Sequence, residues 1–231
     1  MAKDAKSAFC EDSRVKFPTL MHLMGMGFKY VSLKGLKTKY VEAPKTEFDP
    51  LTNILTDYFI DAYCTLNPKA EKKDAEDMLV KIQKSLQNDD LGRQFYNEIL
   101  LNTGERIIDL SSPVNFYKNN TFQVATEMTC GSKDSDNYRP DITIFVNGLP
   151  LAFIEVKKEN NHKGIQAETD RMKQRFVNPQ YRRFLNITQI MVFSNDMEYD
   201  NNEVTPTIGA FYATIGKKNT KYNCFREEGQ D

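Results

Sequence analysis

Arg139-Pro-Asp-Ile-Thr-Ile-Phe-Val-Asn-Gly-Leu-Pro-Leu-Ala-Phe-Ile-Glu-Val-Lys157 is the stretch that decides how this chain is read. Pro140 and Asp141 open a strand, Asn147-Gly148 turns it, and Leu151 to Lys157 returns as a second strand. Side chains alternate along strands, so the turn length sets which residues share a face. A two-residue type I′ loop would oppose Val146 to Leu149 and put Asp141 and Glu155 on opposite faces. A three-residue loop, Val146-Asn147-Gly148 with Gly148 in the left-handed region, opposes Asp141 to Phe153. Glu155 is then the diagonal neighbour of Asp141, about 7–8 Å away at the backbone, and Lys157 shares that face. The pattern predicts this odd-length loop, or a bulge that restores the same facing. Ile142, Ile144, Val146, Ala152, Ile154 and Val156 form the apolar set of the other face.

These residue types suit one chemistry. Carboxylate oxygens favour Mg2+ or Mn2+, and Mg2+ takes one or two carboxylates together with waters and substrate phosphate. Asp141 and Glu155 are the expected metal ligands, with the backbone carbonyl of Val156 as a further one. Such an ion polarises a phosphate and lowers the pKa of bound water. Lys157 is placed to orient that water or to offset charge developing on phosphorus. The plain alternative is an amphipathic hairpin whose charged ends reach solvent.

The residues before the hairpin read as mainly helical. Ser13 to Met26, Pro50 to Leu66, Lys69 to Gln87 and Leu91 to Leu101 carry apolar residues at helical spacing, the last capped by Asp89-Asp90. After residue 104 the period changes. Arg106 to Leu110, Thr121 to Thr129, the hairpin, Thr188 to Ser194 and Ala210 to Thr214 read as strands, and Lys163 to Phe176 and Tyr181 to Leu185 as helices. The expected fold class is α/β, a mixed sheet flanked by helices with a mainly helical N-terminal part. One domain is expected over 1–231, with 1–104 the helical part and 105–231 the α/β core.

Composition excludes more than it identifies. The 231 residues carry 31 basic and 32 acidic side chains, a net charge of −1, so global charge does not advertise nucleic acid. A local basic face is still compatible with that sum. Four separated cysteines without a C-x-x-C pair read as reduced thiols. The charged start shows no signal peptide, and no apolar run approaches the ~18 residues of a membrane span. A soluble, cytoplasmic protein is expected.

The segment 139–157 resembles the PD-(D/E)xK nuclease core. More narrowly, it is similar to the endonuclease domain at the N-terminus of type I restriction enzyme R subunits. The likeness extends from about Arg106 through Asn195, and more weakly to Asn223-Cys-Phe-Arg-Glu227. It implies that Asp141 and Glu155 are metal-binding catalytic carboxylates and Lys157 the catalytic lysine. It implies Mg2+-dependent cleavage of double-stranded DNA, in a complex with methylation and specificity subunits and after ATP-driven translocation. The family's Gln-x-x-x-Tyr motif falls on Gln166-Ala-Glu-Thr-Asp170, so Gln166 fits as a catalytic helper while Asp170 stands where tyrosine is usual. Gln174 is a second candidate. The chain has no G-x-x-x-x-G-K-[ST] sequence, so ATP binding is expected only of a full-length subunit of which this is an N-terminal fragment.

Other residues carry weaker signals. Glu11, before the first helix, is placed to reach the metal or to cap the helix. His22 and His162 are isolated, which argues against zinc. Lys157, Lys158, Lys163, Arg171, Lys173, Arg175, Arg182 and Arg183 make a basic stretch that reads as phosphate contacts or as a solvated helix face. Two other functions remain open: a nuclease-fold module that binds DNA or docks subunits without cutting, and a repair-type nuclease of the same fold.

Overall fold

The structure, a computed structural model, describes residues 15–37, 39, 42–102, 104–130, 138–157, 164–194, 210–214 and 223–224. Its centre is a seven-stranded mixed sheet. The strands are β1 (Lys29–Tyr30), β4 (Phe122–Thr126), β5 (Ile142–Val146), β6 (Leu149–Val156), β7 (Ile190–Ser194), β8 (Ala210–Thr214) and β9 (Asn223–Cys224), lying side by side in that order. β2 (Leu36–Lys37) and β3 (Glu42–Ala43) form a separate antiparallel pair. β5 runs antiparallel to both its neighbours, β4 and β6, while β6 and β7 run parallel. That parallel step needs a crossover, which α5 (Gly164–Val177), a 3-10 turn (Pro179–Tyr181) and α6 (Arg182–Ile187) supply.

Helices cover both faces, which is why the central strands are apolar on both sides. On one face Val124, Ile142, Ile154 and Val156 pack with Val15 and with residues of α1 (Phe17–Gly25). On the other, Phe153, Met191 and Phe193 pack against Met172 of α5 and Phe184 and Leu185 of α6. A third cluster gathers at the turn end of the hairpin. There α2 (Thr56–Leu66) and α3 (Lys72–Ser85) bury Phe59, Tyr63, Met78 and Ile82 against Val146 and Leu149, and α4 (Pro113–Asn119) packs Phe116 beside them. Val146 thus leaves the apolar set expected for it and joins this cluster.

Three expected elements differ. Arg106 to Leu110 is not a strand. Its Ile107 and Ile108 are buried, but side-chain amides take the place of a neighbouring strand. Asn67 exchanges two hydrogen bonds with the Arg106 backbone, and Asn120 two with that of Asp109. The stretch after Asp90 is capped as expected, since Asp90 accepts from the N–H groups of Gly92 and Gln94. Its regular part is only a π-helical segment, Phe95–Leu100. Finally, α1 is followed by the short strands β1 to β3, so the front half is less helical than its sequence suggests.

The hairpin turn has two residues, with Val146 opposite Leu149. Asn147 and Gly148 both have positive φ, 53° and 76°, as a type I′ turn requires. This corrects the three-residue loop. A bulge follows at once, because Phe145 pairs with Pro150 and Ile144 with Ala152, leaving Leu151 as the extra residue. The bulge shifts the register by one and restores the facing that the two-residue turn would have lost.

Candidate active site at the open end of the hairpin

Beyond the bulge the paired register ends with Ile142 opposite Ile154, and extending it by one step would set Asp141, just before β5, opposite Glu155. Along that extension the two carboxylates are direct rather than diagonal neighbours, closer than the loop-based register placed them. Glu155 lies on the sheet face shared by Phe153 and covered by α5 and α6, and Asp141 is near enough to act on its charge. Asp141 Oδ2 accepts from the backbone N–H of Val156 at 2.9 Å, which ties the start of β5 to the end of β6. Asp141 Oδ1 lies 3.5 Å from Lys16 Nζ.

Glu155 is buried, and its Oε1 makes no well-formed hydrogen bond, although the Tyr138 hydroxyl lies beside the carboxyl. Burial, then the neighbouring Asp141 and Glu168 carboxylates, push its carboxyl up to about 8 from 4.5, although Lys157 pulls the other way. A buried acid beside other acids favours its neutral form unless a cation arrives. The nearby Tyr138 hydroxyl is raised well above its ordinary value by its burial and then by the Glu155 charge, and its contact with Glu155 pulls that carboxyl the other way. Cys130 is no thiolate nucleophile, because burial pushes its thiol up as well.

Lys157 sits beside this pair. Its Nζ donates to the Val156 carbonyl at 3.0 Å and lies 3.9 Å from Glu155 Oε2 and 3.5 Å from Glu168 Oε2. Glu168, on α5, is an acid that sequence reasoning missed. Burial alone would raise its carboxyl; Lys157, Arg175 and Arg171 outweigh burial and hold it below the ordinary value. Glu168, Met172 and Arg175 fall at helical spacing, so the sequence does contain the signal, but nothing local says that this face points inward.

Lys16 and Glu127 were also missed. Lys16 Nζ lies 3.2 Å from Glu127 Oε1, bridging that acid to Asp141. Glu127 has φ 54° and donates its N–H to the Asp141 carbonyl. A non-glycine residue in that region is uncommon, and here it brings a second acid beside Asp141. The hydrogen bond from Lys16 is the main reason its carboxyl lies below the ordinary value.

Other expected residues are placed less fully. Gln166 lies on α5, with its side chain outside the described residues. Glu11, His162, Lys158 and Lys163 are outside them altogether. Gln174 and Asp170 face solvent. The basic stretch is largely paired: Arg171 and Arg175 with Glu168, Lys173 with Asp170, and Arg182 with Asp89. His22 is exposed on α1.

Among the described residues no three His, Cys, Asp or Glu side chains form a ready metal cluster. A site of two carboxylates and a main-chain carbonyl does not need one. The donors Asp141, Glu155 and Val156 O are all hard oxygens, and the buried Glu155 Oε1 makes no well-formed hydrogen bond. This set fits Mg2+ or Mn2+. No described helix is long and apolar enough to cross a membrane.

Comparison with known proteins agrees with the likeness carried by 139–157. A Methanocaldococcus jannaschii protein, provisionally named type I restriction enzyme MjaIXP endonuclease subunit, is 27% identical over 226 residues. The match covers 89% of this chain and 20% of that relative, so the chain spans a fifth of the relative's length. The family model for the type I restriction enzyme R protein N terminus (HSDR_N) matches residues 9–204 and so takes in β1 to β7 and the whole hairpin. The chain belongs to the type I restriction enzyme R protein N-terminal family.

Proposed function

We propose that this chain is the endonuclease domain of a type I restriction R subunit, a PD-(D/E)xK nuclease that hydrolyses phosphodiester bonds of double-stranded DNA with Mg2+. The observation that carries the reading is the closeness of Asp141 to the buried Glu155 at the open end of the hairpin, where Glu155 Oε1 makes no well-formed hydrogen bond. Family membership supports the endonuclease role. Asp141, Glu155 and the Val156 carbonyl would hold the ion, with Mn2+ as a substitute. When bound, Mg2+ supplies polarisation of the phosphate and a more acidic bound water.

The chain's own residues do the rest. Lys157 presents a fixed ammonium beside the two acids, suited to offset charge on the phosphorane oxygens and to orient the attacking water. Asp141 is aligned by the Val156 N–H, so its position follows from the sheet rather than from a flexible loop. Gln166 is assigned a supporting role on α5. Arg171 and Lys173, exposed on the same helix, are suited to backbone phosphates, which set affinity rather than sequence choice. Methylation and specificity subunits are the proposed partners and the cytoplasm the proposed location. ATP is assigned to the parts of the full-length subunit beyond this chain.

The test is DNA cleavage by the full-length R subunit, assembled with its partner subunits in ATP and Mg2+, for wild type and Asp141→Ala. The variant is expected to lose cleavage. Normal cutting by it would overturn the assignment.

A further inference from the structure

Glu168 is a carboxylate in the protein interior, its side chain only 2% exposed. Its Oε1 accepts from Arg175 at 2.7 Å, and its Oε2 accepts from Arg171 at 3.1 Å and lies 3.5 Å from Lys157 Nζ. Arg175 is itself fixed, with its guanidinium 3.8 Å from the centre of the Tyr138 ring. Tyr138 in turn meets Phe153 and Phe184 edge-on. A continuous line of contacts therefore runs from the aromatic core through Arg175 and Glu168 to Lys157.

Core packing alone does not require this. An ion cluster in the interior carries a desolvation cost, and apolar side chains of similar volume commonly do as well or better. What the cluster does is geometric. Lys157 Nζ has two acids within reach, Glu155 at 3.9 Å and Glu168 at 3.5 Å. Without Glu168, the ammonium, which also donates to the Val156 carbonyl, would keep Glu155 as its acid partner and would be drawn toward that carboxylate.

We propose that Glu168 is a positioning residue that holds Lys157 off Glu155, keeping the lysine aimed at the reacting phosphate and the carboxylate pair open. The proposal rests on the nuclease reading of the hairpin end. It assigns α5 a role in the reaction through Glu168, a residue lying within the Gln166 to Asp170 segment but distinct from Gln166.

The experiment compares Glu168→Gln, Glu168→Asp and Lys157→Ala in the assembled full-length R subunit. It measures the cleavage rate at saturating duplex, the half-saturating DNA concentration and the thermal midpoint of each subunit. Misplacing a reacting group by about 1 Å costs on the order of 10- to 100-fold, and Glu168→Gln is expected to slow cleavage by that factor. Its half-saturating DNA concentration is expected to stay within about twofold, and Glu168→Asp to recover much of the rate at the same thermal midpoint. Near wild-type cleavage by Glu168→Gln, with Lys157→Ala inactive, overturns this inference alone. Equal losses in the Gln and Asp variants that track a lower thermal midpoint also overturn it, because they mark a structural role. Wild-type cleavage by Lys157→Ala overturns the nuclease reading and this inference together.

Discussion

The two ends of one hairpin are built to opposite rules. At the turn end every polar group is answered. Asn147 Oδ1 accepts from the Thr121 N–H, its Nδ2 donates to Ile107 O and Asn120 Oδ1, and Gly148 N–H donates to Gln123. Gly148 O accepts from Leu55 N–H, which joins the turn to the start of α2. At the open end Asp141 lies near Glu155, the buried Glu155 Oε1 makes no well-formed hydrogen bond, and Glu168 adds a third acid. Both ends are buried, so exposure does not separate them. Satisfaction does: the turn end stabilises the fold, and the open end is held in a strained electrostatic state by a fold that tolerates it.

That contrast breaks most visibly on substitution. Asp141→Ala is expected to lower DNA cleavage by roughly 1,000-fold or more, the scale of removing a principal charge-stabilising group. Its stability should change by only about 1–2 kcal/mol, because a lost hydrogen bond is partly offset by relief of the Glu155 repulsion. Thermal melting beside a cleavage assay checks both halves. Gly148→Ala should do the reverse. Its φ is +76°, and a Cβ there would stand 2.6 Å from Leu55 O, so about 3 kcal/mol of stability is expected to be lost. Cleavage per folded molecule should survive, as denaturant titration and assays below the melting range would show.

The smallest expected effect sharpens the open end. Lys16 is the cation now beside Asp141 Oδ1. Lys16→Met removes a competitor for that oxygen, and a partly exposed ion pair is worth up to about 1 kcal/mol. Mg2+ binding, followed by calorimetry, should tighten by about fivefold or less. Weaker binding would instead make Lys16 a support for Asp141.

Much of the site was legible because its parts are local. Asp141, Glu155 and Lys157 lie within one hairpin, and Asn147-Gly148 announces its turn. The register was harder, although a signal existed. Pro150 lies in a central strand, where its missing N–H breaks the ladder, and the bulge begins beside it. Reading Pro150 as a bulge marker yields the two-residue turn and a register that extends to Asp141 opposite Glu155. Lys16 comes from the start of α1, remote in sequence, and although Glu168 and Glu127 are only 11 and 14 residues from Lys157 and Asp141, it is the packing of α1, α5 and the end of β4 that brings all three in. Ile107-Ile108 read as strand because apolar burial was visible, while its substitution of Asn67 and Asn120 amides for a neighbouring strand was not.

The central claim, that the open end is kept electrostatically unfavourable for a cation, has a pH signature. Glu155 has a folded value of about 8 against an ordinary 4.5. Below 4.5 the carboxyl is neutral in both folded and unfolded chains, and its contribution is fully present. As pH rises toward 8 the unfolded chain ionises first, so metal-free stability falls, by several kcal/mol at the order of magnitude, and levels off above 8. The most direct measurement is the stability of wild type and Glu155→Gln from pH 5 to 9, with and without Mg2+. The account predicts that Glu155→Gln flattens the metal-free decline and is the more stable protein near pH 9, while Mg2+ stabilises wild type far more than the variant. A variant less stable than wild type at every pH, with equal Mg2+ shifts in both, would contradict it.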